Sequence, residues 1–111
     1  MATVYKRLGA AAGNGTIATA STLYTVPAST ATVISTIVIC NTSGTAGTFS
    51  ISGSTTTSFI SGQEIVYQAA IAGNDTIGLT FGMTLDATNK YLLVSSSAAT
   101  IMFSVFGSEI A

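Results

Sequence analysis

Thr32-Val33-Ile34-Ser35-Thr36-Ile37-Val38-Ile39-Cys40-Asn41 decides the fold. β-Branched side chains fill most of this run, and no Gly or Pro interrupts it. Such side chains are stiff at χ1 and pack well on a pleated surface, so the run reads as a strand. Strict alternation puts Val33, Ser35, Ile37 and Ile39 on one face and Ile34, Thr36, Val38 and Cys40 on the other. Both faces are apolar. A strand with one solvated face shows a polar side there, so the outer face is expected to meet something as well.

Outward from this run, strand-like stretches alternate with turn signals at the spacing of a sandwich or barrel. Thr16–Val26 is extended and closed by Pro27, the single proline. Thr48–Ser52 follows a Gly44-Thr45-Ala46-Gly47 turn, and a polar loop follows over 53–58. Gln63–Ile71 alternates, with Ile65, Tyr67, Ala69 and Ile71 on one side. Gly73-Asn74-Asp75 turns into Thr76–Phe81, and Asp86–Lys90 turns into Tyr91–Ser95. The last strand, Thr100–Phe106, sets Ile101, Phe103 and Val105 against Met102, Ser104 and Phe106. It too is apolar on both sides. The expected fold is all-β: an antiparallel β-sandwich of about eight strands. Jelly-roll and immunoglobulin-like arrangements both remain open at this stage.

The Gly- and Ala-rich stretch over 9–15 reads as a flexible joint. It divides an N-terminal arm and joint, residues 1–15, from a sandwich domain, residues 16–111. The arm carries Lys6 and Arg7 and is a candidate for reaching a partner.

Charge is scarce. Lys6, Arg7 and Lys90 face Glu64, Asp75, Asp86 and Glu109 across 111 residues, for a net charge of −1. About a quarter of an ordinary soluble domain is charged; here the figure is 6%. Charges keep surfaces wet and neighbours apart, and a surface of Thr, Ser, Ala and Gly does neither well. Scarce charge and two-faced strands point to a surface covered by copies of the chain or by a larger assembly.

The same composition excludes most chemistry. With no His, there is no Ser-His-Asp triad, no Cys-His pair and no His metal site. Cys40 is the single cysteine, which rules out an internal disulfide, and it reads as a small buried hydrophobe. Three basic residues make no footprint for nucleic acid. The four tyrosines, Tyr5, Tyr24, Tyr67 and Tyr91, read as strand packing. A calcium site from Asn74, Asp75, Asp86 and Asn89 is the one metal arrangement to test; otherwise no cofactor, metal site or catalytic residue is expected. No apolar run reaches the ~18 residues of a membrane helix. The basic N-terminal pair leads into no signal-peptide core, so assembly in the cytoplasm is expected.

Three stretches resemble small virion structural proteins of tailed bacteriophages, particularly cyanophages. They are Leu23-Tyr24-Thr25-Val26-Pro27-Ala28, the run from Thr32 to Asn41, and Phe103-Ser104-Val105-Phe106-Gly107-Ser108-Glu109. The resemblance implies a β-rich, non-enzymatic particle component located in the virion. The expectation is a capsid decoration or cement protein, a homotrimer seated on the major capsid protein or other virion proteins. Its contacts would come from Tyr5, Lys6, Arg7, Ile34, Val38, Ile101, Phe103 and Phe106. A tail, baseplate or fibre component is the alternative, and a bacterial surface or carbohydrate-binding β module is the second.

Overall fold

The computed structural model describes residues 3–110. Eight strands follow one another: β1 (Thr3–Ala12), β2 (Ser21–Thr25), β3 (Ala31–Asn41), β4 (Gly47–Ser54), β5 (Glu64–Ile71), β6 (Thr76–Leu85), β7 (Tyr91–Ser96) and β8 (Ile101–Ile110). No helix occurs among the described residues.

Two four-stranded sheets form the sandwich. Sheet A has the order β1-β8-β3-β6 and sheet B the order β2-β7-β4-β5. Every pairing is antiparallel. The pairs β1·β8, β2·β7, β3·β6 and β4·β5 form one long double ribbon. Wrapped so that alternate pairs fall in opposite layers, this ribbon is a jelly roll. Of the two sandwiches compatible with the sequence, the strand order selects that one.

Between the sheets lie Ile34, Ile37 and Ile39 of β3, Phe49 and Ile51 of β4, Leu92 and Val94 of β7, and Ile101, Phe103 and Val105 of β8. Phe49 and Phe103 meet edge to face across the layers, with ring centroids 6.4 Å apart. A buried side chain of this size contributes about 1.5–3 kcal/mol. β8 follows the expected alternation. β3 does not, because it slips register between Ile34 and Thr36 against both neighbours. Ser35 is the extra residue against β8, and it returns Ile37 and Ile39 to the face of Ile34. At the same place a Cβ on Gly107 would collide with the Val33 carbonyl, so β8 approaches β3 there only as glycine.

Three expectations are corrected. Residues 3–12 are not a separate arm: β1 pairs with β8 from Thr3↔Ile110 to Ala12↔Met102, and the chain is one sandwich. Thr16–Ala20 turns, so the second strand begins only at Ser21. In β5 the left-handed Gln68 (φ 49°) makes a bulge, with its amide donating to Ser50 Oγ at 2.9 Å. Val66, Ala69 and Ile71 therefore pack inward, while Ile65 and Tyr67 are exposed.

Candidate functional site

The outer faces of the two sheets differ. Above sheet B lie two segments of the chain itself. One runs over 13–20. Asn14 Oδ1 accepts from the Thr16 amide at 3.0 Å, its Nδ2 donates to the Thr19 carbonyl at 2.6 Å, and Ser95 Oγ donates to the Ile17 carbonyl at 2.7 Å. The other runs over 55–63, tied down where Ser52 Oγ donates to the Gln63 carbonyl and Ser54 Oγ to the Ser58 carbonyl. Ser50, Ser52, Ser54, Leu93 and Ser95 are buried beneath them. The serines suit this layer because each is small and several meet backbone groups of the covering loops. A cavity of about 240 Å³ remains between the loops, lined by Ile17, Phe59, Val66 and Tyr67, with Glu64 among its polar groups. Glu64 Oε1 already accepts from the Gly62 amide.

Among the described residues, sheet A has no such cover. The registers set its outward side chains in rows across four strands. Thr84, Val33, Ser108 and Tyr5 form one row; Thr80, Thr36, Phe106 and Arg7 the next. Gly78, Val38, Ser104 and Ala10 follow, then Thr76, Cys40, Met102 and Ala12. Val33, Val38, Cys40, Met102 and Phe106 are half-buried by their neighbours in the sheet. Tyr5 is 65% exposed, with its hydroxyl 3.0 Å from Ser35 Oγ. Arg7 is the single formal charge in these rows.

The eight residues expected at a contact surface divide between the two sides of sheet A. Tyr5, Arg7, Val38 and Phe106 lie on the outer face. Ile34, Ile101 and Phe103 are enclosed in the chain's own core, so their assignment to a contact surface is corrected. The cause is the alternation of β8 and the bulge at Ser35. Lys6 also points away from the outer face, where its Nζ lies 3.0 Å from Glu109 Oε1.

Glu109 is the centre of a polar clasp that the sequence did not reveal. The Tyr24 hydroxyl donates to Glu109 Oε2, and Tyr24 Oη lies 2.9 Å from Thr32 Oγ1. With its own proton given to Glu109, Tyr24 accepts from Thr32. The clasp joins β1, β8, β2 and β3, and so both sheets. The Tyr24 hydrogen bond, then Lys6, holds the Glu109 carboxyl below its ordinary range. Burial first, then Glu109, pushes the Tyr24 hydroxyl up to about 12. The only early sign was that Lys6 and Glu109 are two of seven charges in the whole chain.

No group of three or more Cys, Asp or Glu that could hold a metal ion forms among the described residues. Asp75 and Asp86 sit at opposite ends of β6, about 35 Å apart at strand rise, which corrects the calcium arrangement. Each is spent on its own turn. Asp75 Oδ1 accepts from the Thr76 amide, and Asp86 Oδ1 accepts from the Thr88 and Asn89 amides at 2.9 and 2.8 Å.

Compared with known protein families and with curated proteins, the chain matches no family model and no curated protein.

Proposed function

We propose that this chain is a non-enzymatic structural subunit of a tailed-phage particle. It decorates the capsid and stabilises it through contacts with its own copies and with the shell beneath. The observation that carries this reading is the outer face of sheet A: four strands wide, bare of loops, and holding one charge. Four strands at ~4.8 Å spacing and ten residues at ~3.4 Å rise give roughly 650 Å². Specific interfaces cover about 600–1,000 Å² on each partner, and this face lies at the lower end of that range. The jelly roll suits the role by analogy alone, since the same architecture serves capsids, lectins and enzymes. The resemblance of Leu23–Ala28, Thr32–Asn41 and Phe103–Glu109 to phage virion proteins supplies the particle.

The mechanism is mass action. A protein that binds only the assembled shell stabilises that shell by its binding free energy. Three copies around a threefold position are the arrangement proposed. Particles lacking the protein are expected to release their genome at a lower temperature, and equal release would overturn the reading. Copy number separates the capsid from the tail. Hundreds of copies in purified virions support decoration, while a few dozen transfer the protein to the tail, baseplate or fibre.

One observation favours a second reading, a carbohydrate-binding module. Tyr67, 68% exposed, stands at the cavity over sheet B beside Phe59 and Glu64. An aromatic face with a nearby carboxylate suits a sugar ring. Binding of glycans that is lost in Tyr67→Ala would establish it.

A further inference from the structure

Four strands stand at sheet edges, and an edge exposes unpaired N–H and C=O groups that another chain can adopt. Three of them carry protection. β1 has Lys6 and Arg7 and a register break after Arg7. β2 is five residues long, broken between Thr22 and Tyr24, and soon followed by Pro27. β5 begins at Glu64 and bulges at Gln68. β6 differs. It runs for ten residues without charge or proline, and its ladder to β3 has one irregularity, between Thr80 and Met83. Among the described residues, positions 77–85 make no backbone hydrogen bond outside that ladder.

The sequence of β6 is also symmetric about its middle. Thr76-Ile77-Gly78-Leu79-Thr80-Phe81-Gly82-Met83-Thr84 reads the same in both directions by residue class. We infer that β6 is the strand through which two copies of this chain pair, antiparallel, about a twofold axis at Thr80. A twofold contact must be self-complementary, and this register makes it so. Thr80 meets Thr80, Gly78 meets Gly82, Thr76 meets Thr84 and Ile77 meets Met83. The outward side chains Thr76, Gly78, Thr80, Gly82 and Thr84 are all exposed, and nothing stands within 4 Å of a Cβ placed on either glycine. Directly opposed threonines are favourable cross-strand pairs. On the inner side, Ile77, Leu79 and Met83 are partly buried at the margin of the core, where a second copy completes their cover.

A groove along the same edge points to the same occupant. It holds about 300 Å³ between Gly53, Gln63, Ile65, Met83, Thr84 and Asn89. Gln63 Oε1 is buried without a hydrogen-bond partner among the described residues. Pairing about Thr80 brings the Thr76–Ile77 end of the second copy beside this groove. The contact joins two four-stranded layers into one of eight. It rests on the proposal that the chain assembles with its own copies, and it names the strand and the symmetry for one of those contacts. The proposed threefold arrangement uses other surfaces, and the β6 contact links one such group to the next.

The test uses cysteine placement in a Cys40→Ser background. Residues directly opposed in an antiparallel pair have Cα atoms about 4.5–5.5 Å apart, within disulfide reach. Thr80→Cys is expected to give a band at twice the chain mass on a non-reducing gel. Thr76→Cys alone, equally exposed, is expected to give none, and Thr76→Cys with Thr84→Cys together to restore it. Thr80→Lys sets two like charges face to face and is expected to lower the dimer association constant at least tenfold by sedimentation. Equal cross-linking of Thr80→Cys and Thr76→Cys, or none in either, overturns the inference. Sedimentation of the unaltered protein separates the two levels. Oligomers without Thr80 cross-linking leave self-assembly standing and remove β6. A monomer at every concentration removes both.

Discussion

Sheets A and B share one core but treat their outer faces in opposite ways. Over sheet B, the segments 13–20 and 55–63 fold back, and serines beneath them hydrogen-bond to loop carbonyls. Over sheet A, Val33, Val38, Met102 and Phe106 sit half-covered in a field of Thr, Ser and Gly. Loops cost conformational entropy to order, about 1–2 kcal/mol for each residue's backbone. Among the described residues, the chain orders two loops over one face and none over a similarly uncharged second face, which is the ground for the assembly proposed above. The contrast shows that apolar side chains on an outer face can be covered by the chain's own loops, as over sheet B, or be left half-covered, as over sheet A. Sequence alternation alone does not say which is used.

The contrast is sharpest at β8, where adjacent aromatic residues point opposite ways. Phe103→Ala is expected to lower the unfolding free energy of dilute protein by about 3–5 kcal/mol, because it empties the place against Phe49. Phe106→Ala, on the bare face, is expected to cost less than about 1.5 kcal/mol by the same denaturant titration. Equal losses would mean that Phe106 is as enclosed as Phe103, and the bare face would disappear.

The clasp comes next in size. Tyr24→Phe leaves Glu109 and Thr32 without their shared partner, an expected loss of about 1–3 kcal/mol. Its pH signature has a definite sign. Tyr24 ionises at 10.0 when unfolded and near 12 when folded. The unfolded chain loses this proton first, so stability is intact below pH 10 and falls as pH rises toward 12. Glu109 acts at the other end. Its folded value lies below the ordinary 4.5, so its contribution is present above that pH and is lost as pH falls through the folded value. Denaturation midpoints across both limbs check this, and Tyr24→Phe should flatten the alkaline one.

Ser95→Ala tests the cover over sheet B. It removes the hydrogen bond to the Ile17 carbonyl, with an expected loss of about 1 kcal/mol. Faster amide exchange confined to 13–20 would confirm that this segment is held from below. The smallest effect on folding is expected for Val38→Lys on the bare face, within about 1 kcal/mol, yet this variant is expected to reduce self-association strongly. If it instead unfolds the dilute protein, Val38 belongs to the monomer and not to a contact.

Much of the sandwich was legible in the sequence because strands announce themselves locally. β-Branched runs, the Asp86–Lys90 turn and the alternation of Ile101, Phe103 and Val105 need no knowledge of distant residues. Three features were hidden because they depend on partners far along the chain. The bulge at Ser35 arises where β8 meets β3, and nothing in Ile34-Ser35-Thr36 marks it. Gln68 adopts a left-handed backbone in a strand with no glycine to signal a bulge. The end of β1, Gly9-Ala10-Ala11-Ala12, is small-sided and looked like part of a joint, since its pairing with β8 is set about ninety residues away. Of the residues expected at a contact surface, Tyr5, Arg7, Val38 and Phe106 lie on the outer face of sheet A. Ile34, Ile101 and Phe103 were misplaced because two apolar faces do not reveal which one is inside.

The pairing of β1 with β8 also governs when this protein can finish folding. On the ribosome β4 and β5 can zip as soon as both emerge, then β3 with β6 and β2 with β7, each closing a longer span of chain. Of the eight strands, β1 leaves the tunnel first and finds its partner last. Translation must reach Ile110 before Thr3 has its partner, so β1 stays a naked, glycine-containing strand while the seven strands after it are made.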